Sequence, residues 1–364
     1  MPLSENRLVI AAAGSGKTTL LAKEALADEG RRVAIVTYTN NNALAIRKKL
    51  RELGGVIPDR ITVATWFHFL LGECARPYQR SVYEKCRIRG ICFPKGRSAR
   101  WARYTDTKRY YFRDGREIYA DKIARFVIDC EDATRGLVTR RLLRVYDRIL
   151  VDEFQDLAGY DLDLLATFME AGIPLTMVGD PRQCTYSTNS ATRNCQFRGM
   201  GVVELARRWE ENGLCAIQHR SWSYRCSESI CAFANALWPE AEPVVSHRKS
   251  GSAHNGIYQV SRDLLHTYVK TYRPQLLRYD RRTKTHGHEA LNFGAAKGLE
   301  FDHVFILPHG PIRRYLQGGD VNEILGSREK FYVAITRAKS SVAFLYDGST
   351  CHECTTWSPS DAES

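Results

Sequence analysis

The chain has 364 residues, more than a single hydrophobic core usually organises, so two core-bearing domains are expected, with room for a smaller insertion. A hydrophobic content of 44% and a charged content of 26% are ordinary for a soluble globular protein, and no apolar run approaches the roughly 20 residues needed to span a bilayer, so no membrane partner is expected. The formal net charge of +12 calls for a polyanionic partner, and 20 Lys and Arg against nine Asp and Glu over residues 75–148 place nearly the whole excess in one stretch.

The N-terminus runs directly into a short apolar strand, Leu8 to Ala11, and a glycine loop, without the long apolar core of a secretory signal, so a cytoplasmic protein is expected. Helical patterns over Thr18 to Ala27 and Asn42 to Leu53 then alternate with apolar runs at Val33 to Val36 and Ile61 to Ala64, the rhythm of a parallel sheet with crossover helices. After Phe69 this rhythm breaks. The basic stretch that follows interleaves Tyr78, Tyr83, Trp101, Tyr104, Tyr110, Tyr111 and Tyr119 with arginines and reads as a mainly helical insertion over 70–145.

The alternation resumes with Arg148 to Asp152 and Pro174 to Asp180, two apolar strands that each end on an acidic residue. A second domain is expected over 216–346, with strands at Gln275 to Leu277, His303 to Leu307 and Ser341 to Tyr346 and a helix from Arg328 to Ala334. Trp238 to Asn255 reads as a loop, and the polar tail 347–364 is expected to fray. The first domain is then 1–69 with 146–215. Eleven scattered cysteines read as reduced thiols; the one tight pair, Cys351 and Cys354, falls two ligands short of a zinc site.

The strongest local motif is Ala11-Ala12-Ala13-Gly14-Ser15-Gly16-Lys17-Thr18 between a strand and a helix. Glycines let backbone amides approach phosphate oxygens, the helix N-terminus adds positive potential, Lys17 reaches the outer phosphates and Thr18 can hold magnesium. Ala13 through Thr19 is therefore the candidate nucleotide-binding segment. Asp152 and Glu153 follow an apolar strand. Two adjacent carboxylates on their own suggest a solvated turn, but downstream of a phosphate loop they suggest magnesium held through water by Asp152 and an attacking water oriented by Glu153.

Further along come Thr37-Tyr38-Thr39-Asn40, Thr65-Trp66-Phe67-His68, Val178-Gly179-Asp180-Pro181-Arg182-Gln183 with Tyr186, Tyr224-Arg225, Ala296-Lys297-Gly298-Leu299-Glu300-Phe301, and Tyr332 to Lys339. In this order, the set resembles the superfamily 1 helicases of the UvrD/Rep type, across nearly the whole chain outside the basic insertion and the loop near residue 250. The resemblance implies two RecA-like α/β domains with ATP and magnesium as cofactors. It gives Gln183 the sensing of the γ-phosphate, Arg225 and Arg337 the stabilisation of its developing charge, and Glu300 a contact with the nucleotide sugar. Tyr38, Asn40, Thr65, His68 and Tyr186 fall where the family touches single-stranded DNA.

The implied activity is ATP-driven translocation or unwinding of single-stranded or tailed DNA in the 3′ to 5′ direction. Four departures qualify this. No glutamine precedes the loop to read adenine. Ser187-Thr188-Asn189-Ser190 stands where the family has a base-stacking tryptophan and an arginine. Asn292-Phe293-Gly294-Ala295 replaces Thr-x-His-Ser, and about 65 residues between Arg225 and Ala290 leave no space for the family's large regulatory insertion. A rival reading follows: a DNA-stimulated ATPase serving a larger complex beside a nuclease subunit, as in the helicase-like subunits of Gabija-type phage defence.

Overall fold

The computed structural model describes residues 5–189, 191–249, 252–348 and 351–362; Ser190 and parts of the loop near residue 250 and of the C-terminal tail lie outside them. The chain divides into two compact units. One holds the chain up to Ile10 together with Lys17–His219; the other holds Ala11–Gly16 and the chain from Arg220 onward.

In the first unit the strands are β1 (Arg7–Ala11), β2 (Val33–Thr37), β3 (Ile61–Thr65), β4 (Gly90–Cys92), β5 (Glu117–Tyr119), β6 (Arg148–Asp152), β7 (Leu175–Gly179) and β8 (Ala216–Arg220). Six of them form one sheet in the order β3-β2-β6-β7-β1-β8, and the β1–β7, β6–β7, β2–β6 and β2–β3 pairings are parallel. β2 and β7 are buried along their whole length, which is why they read as continuous apolar runs rather than as alternating ones: helices cover both faces. Ala216–Arg220, where the sequence opens the second domain, is instead a strand of this first sheet, with the Ala216 N–H donating to the Asn6 carbonyl at 3.0 Å.

The insertion has helices at Ile123–Thr134 and Leu137–Val145, as its composition predicts, and also a small parallel sheet of β4 and β5 that no apolar alternation announces. Tyr83, Tyr111, Phe112, Ile118 and Phe126 belong to the same buried cluster as Leu8, Val36 and Val151 of the central sheet, so the stretch shares the first unit's core. Much of its aromatic content is structural: the Phe112 ring stacks on Tyr83 at 4.4 Å and packs edge-on to Phe126 at 5.7 Å.

The second unit carries β9 (Trp222–Ser223), β10 (Val245–Ser246), β11 (Gly256–Val260), β12 (Gln275–Arg278), β13 (Leu291–Asn292), β14 (Phe301–Leu307), β15 (Ala338–Leu345) and β16 (Thr355–Thr356). Its main sheet runs β13-β12-β14-β15-β11-β16, with every pairing parallel. Two expectations need correction. The segment 238–255 is not wholly loop, because β10 pairs with β9. The tail does not fray at Asp347: Thr355–Thr356 extends the sheet beside β11, and Trp357 is 1% exposed, donating its backbone N–H to Gln259 at 3.0 Å and packing its ring edge-on to Tyr268 at 5.0 Å. One large apolar side chain in a polar segment is enough to dock it.

Candidate nucleotide and nucleic-acid site

The register of the first sheet brings the carboxyl ends of β2, β3, β6 and β7 into line: Thr37 lies opposite Thr65, Val36 opposite Val151 and Asp152 opposite Val178. Chemistry in open parallel sheets gathers at this edge. Asp152 is 6% exposed and accepts from the Thr37 hydroxyl at 3.2 Å. Burial and then the neighbouring Glu153 carboxylate push the Asp152 carboxyl up to about 7, against the opposing pull of Lys17. Glu153 has φ of 55°, a left-handed conformation uncommon for a residue with a Cβ and worth an explanation where it meets a reactive site.

Asp180 is fully buried. Burial pushes its carboxyl up, but Arg182 and Lys17 outweigh that and hold it below the usual range. Arg182 Nε donates to Asp180 at 2.9 Å and Gln183 Nε2 donates to it at 2.8 Å. Gln155 links the two acidic strand ends: its Oε1 accepts the Asp180 N–H at 3.1 Å and its Nε2 donates to Glu153. A Cβ on Gly179 would lie 2.2 Å from Gln155 Oε1, so only glycine lets this bridge close. Lys17, Asp152, Glu153 and Gln183 thus fall into one connected cluster within the first unit.

Lys17 opens the helix Lys17–Ala27, whose first turn also carries the half-buried Thr18 and Thr19. Residues 11–16 before it group with the second unit. Ala12 N–H donates to the Arg220 carbonyl at 3.1 Å, and the Gly14 carbonyl accepts from Tyr224 N–H at 2.9 Å. Gly14 has φ of 75°, and a Cβ there would lie 2.5 Å from Ser223 Oγ. Ser15 Oγ is buried and makes no hydrogen bond among the described residues. Within the first unit, the crowded carboxylates at Asp152 and Glu153, with Asp152 pushed up by burial and by its neighbour's charge, fit a magnesium ion, which would relieve that crowding. Thr18 and Asp152 are the residues that would hold the ion.

In the second unit Glu300, Arg225 and Arg337 meet at the amino edge of β14 and β15, where Phe301 lies opposite Ala338. Arg225 Nε donates to Glu300 Oε1 at 2.9 Å, and its Nη1 donates to the Thr336 carbonyl at 3.1 Å. Burial pushes the Glu300 carboxyl up, but Arg225 outweighs it and keeps the carboxylate charged. Arg337 is 2% exposed, with Nε donating to the Val333 carbonyl at 3.0 Å and Nη1 to the Leu299 carbonyl at 3.3 Å. The structure therefore brings both arginines and Glu300 together.

Of the candidate DNA contacts, Tyr38 and Tyr186 lie together with ring centroids 5.9 Å apart, while Asn40 and His68 are exposed. Thr65 Oγ1 lies 2.7 Å from His68 Nδ1, which fixes that ring at the end of β3. The row of rings continues through Phe67, 6.0 Å from Tyr38, to Phe93, 5.3 Å from Phe67 and 64% exposed. Phe67 is buried in the core of the first unit, so Phe93 is the surface ring of the two, and nothing in the sequence marks it as one. Thr188 and Asn189, in the divergent segment, are buried: the Thr188 hydroxyl donates to Asp161 at 2.6 Å and accepts from Ala158 N–H at 2.9 Å. Their part is to hold the loop.

Sequence reasoning also missed a basic cleft of about 740 Å³ at the carboxyl edge of the second sheet, lined by Arg262, Arg282, Lys284, His286 and Arg313 with Asp280. Its signal was present in the run Arg278-Tyr-Asp-Arg-Arg-Thr-Lys284, which disappears when charge is summed over a near-neutral half of the chain.

The profile of an AAA domain family matches residues 3–189, and that of the viral superfamily 1 RNA helicase core domain matches residues 131–346. The chain is similar to the Gabija protein GajB of Bacillus cereus (strain VD045), 26% identical over 264 residues that cover 67% of this chain and 48% of that protein. It is also similar to a probable DNA helicase of Mycoplasma pneumoniae, 29% identical over 236 residues that cover 52% of this chain and 42% of the other. The chain thus spans about half the length of the curated relatives it matches. Among solved structures, a complex of Arterivirus nonstructural protein 10 (helicase) with DNA aligns over 95% of this chain and 62% of its own, with 14% identity and a TM-score of 0.49.

Proposed function

From the premise that this chain belongs to the superfamily 1 helicases, we propose that it is a DNA-stimulated ATPase of the UvrD type that moves along single-stranded DNA in the 3′ to 5′ direction. The observation that carries this reading is the convergence of Lys17, Asp152, Glu153, Asp180 and Gln183 at one sheet edge, where buried carboxylates are crowded around a single lysine.

Magnesium, when bound, neutralises phosphate oxygens and positions water. Around it the chain's own residues act as follows. Amides of Ala13 to Thr19 and the Lys17 ammonium hold the β- and γ-phosphates of ATP. Glu153, held by Gln155, orients a water for attack on the γ-phosphorus; the bond to the β–γ bridging oxygen breaks, leaving ADP and inorganic phosphate. Gln183 responds to the departing phosphate, and Arg225 and Arg337 offset the charge that develops on it. Glu300, now paired with Arg225, turns to the nucleotide sugar.

Tyr38, Asn40, Thr65, His68 and Tyr186 contact the DNA strand, and the basic insertion 70–145 serves as an accessory grip. Sequence-tolerant stacking on aromatic rings suits a motor that must pass over every base. A second reading is favoured by the likeness to a Gabija protein and by Thr188 and Asn189 being buried where the family stacks a base: the chain is the DNA-sensing ATPase of a larger assembly with a nuclease subunit and does not unwind alone.

ATP hydrolysis with and without single-stranded DNA, run beside strand separation of a 3′-tailed duplex, tests both. Stimulation with unwinding supports the motor. Stimulation without unwinding supports the sensor, and no response to DNA removes both.

A further inference from the structure

The insertion contains a second concave basic surface, remote in sequence from every motif used above. A cleft of about 580 Å³ is lined by Trp101, Arg100, Arg103, Lys108, Arg109 and Arg113. Trp101 is 95% exposed, although all five other tryptophans of the chain are at least half-buried. Exposing a whole indole to water forfeits the burial that normally stabilises the residue, so its placement on the surface needs a reason.

The cations are mostly not neutralised within the cleft. Asp106, its one acidic residue, caps the short helix Thr107–Tyr111 by accepting the Arg109 N–H at 3.2 Å, and Arg113 has Glu117 at 3.6 Å in an exposed pair. The wall beneath is firm, because Phe112 is 2% exposed and stacked on Tyr83. Ala99, just before the Arg100-Trp101 pair, has φ of 43°, so the backbone turns through a left-handed conformation as it presents the indole.

We propose that this cleft grips a single-stranded nucleic acid, with the Trp101 indole stacked on a base and Arg100, Arg103 and Arg109 on the flanking phosphates. This rests on the reading that the chain binds single-stranded DNA, and it assigns to the insertion the stacking platform that the segment 187–189 does not provide. A large flat ring set among guanidinium groups is the combination that recognises a base and its backbone together. A membrane surface would instead call for several apolar side chains on one face, and the cleft offers one.

The test uses the full chain and three proteins: wild type, Trp101→Ala, and the triple variant Arg100→Ser, Arg103→Ser, Arg109→Ser. All four positions are exposed, and unchanged ATP turnover without DNA establishes that the variants fold. Binding of a fluorescently labelled oligothymidylate is followed by anisotropy across a salt series. Trp101→Ala is expected to weaken binding roughly 5- to 100-fold, the range seen when a base-stacking aromatic is truncated. The triple variant is expected to lower the slope of log affinity against log salt by about two, since each single-strand phosphate contact contributes about 0.7.

Iodide quenching gives a direct reading, because the wild-type fluorescence it reaches is chiefly that of Trp101. Oligothymidylate is expected to shield that signal. Wild-type binding with equal affinity and equal salt slope in both variants, or no shielding from iodide, overturns the assignment while leaving DNA binding elsewhere intact. Failure of the wild type itself to bind overturns the DNA reading and this inference together.

Discussion

Arg225 and Glu300 form an ion pair with Nε and Oε1 2.9 Å apart, so the arginine expected to meet the γ-phosphate is held by the carboxylate expected to meet the sugar. The Arg225 side chain is 15% exposed and that of Glu300 45%, so solvent screens the pair and its own contribution to stability is at most about 1 kcal/mol. Its weight lies in orientation. Arg225→Ala is expected to lower ATP turnover about a thousandfold, the scale of a γ-phosphate arginine, with nucleotide affinity changed far less. Glu300→Gln is expected to shift the melting temperature by only a few degrees. Steady-state kinetics beside equilibrium nucleotide binding separates the two effects.

Glu153→Gln keeps the size of the side chain and removes its charge. Hydrolysis is expected to fall to background while ATP still binds, and Lys17→Ala is expected to lose both. Filter binding of labelled ATP beside phosphate release reads the difference; ordinary turnover by Glu153→Gln would remove it from the catalytic assignment.

Gly179→Ala places a methyl group 2.2 Å from Gln155 Oε1 and forces the side chain off the Asp180 N–H. Overpacking of this kind costs about 1–3 kcal/mol. Thermal melts are expected to show that loss together with impaired turnover, because Gln155 also holds Glu153.

Asp161 accepts from Trp66 Nε1 and from the Thr188 hydroxyl, each at 2.6 Å, and burial pushes its carboxyl up to about 6. The folded chain therefore holds this proton at pH values where the unfolded chain has released it. Between about pH 4 and 6 stability falls as pH rises, and above that window the full cost, about 3 kcal/mol for this group, is present. Asp161→Asn keeps an acceptor for Trp66 and does not titrate. Its melting temperature is expected to lose this part of the pH slope in parallel melts from pH 4 to 7; an unchanged slope would place the titration elsewhere.

Trp357→Ala removes the side chain that docks the tail. A loss of about 3–5 kcal/mol is expected for a buried tryptophan, with hydrogen exchange accelerated first at Thr355 and Thr356. No change in melting would return the tail to the frayed state that its polarity suggests.

The sequence by itself determined what depends on local chemistry. The phosphate loop is legible because glycines, lysine and threonine must follow one another along the chain, and the strands ending at Asp152 and Asp180 are legible because a doubly covered parallel strand has to be an unbroken apolar run. The order of these segments identifies the family without any distance. Only the tertiary structure decided which residues meet across long separations. Gln155 bridges Glu153 and Asp180, Thr188 anchors Asp161, Phe67 and Phe93 continue the ring row from Tyr38, and Trp357 returns to pack on Tyr268. None of these has a periodic or spaced signature, because a contact between distant positions leaves no local pattern. The exposure of Trp101 shows the same limit. A tryptophan among arginines is equally compatible with a core and with a surface, and only the packing around Phe112 decides which.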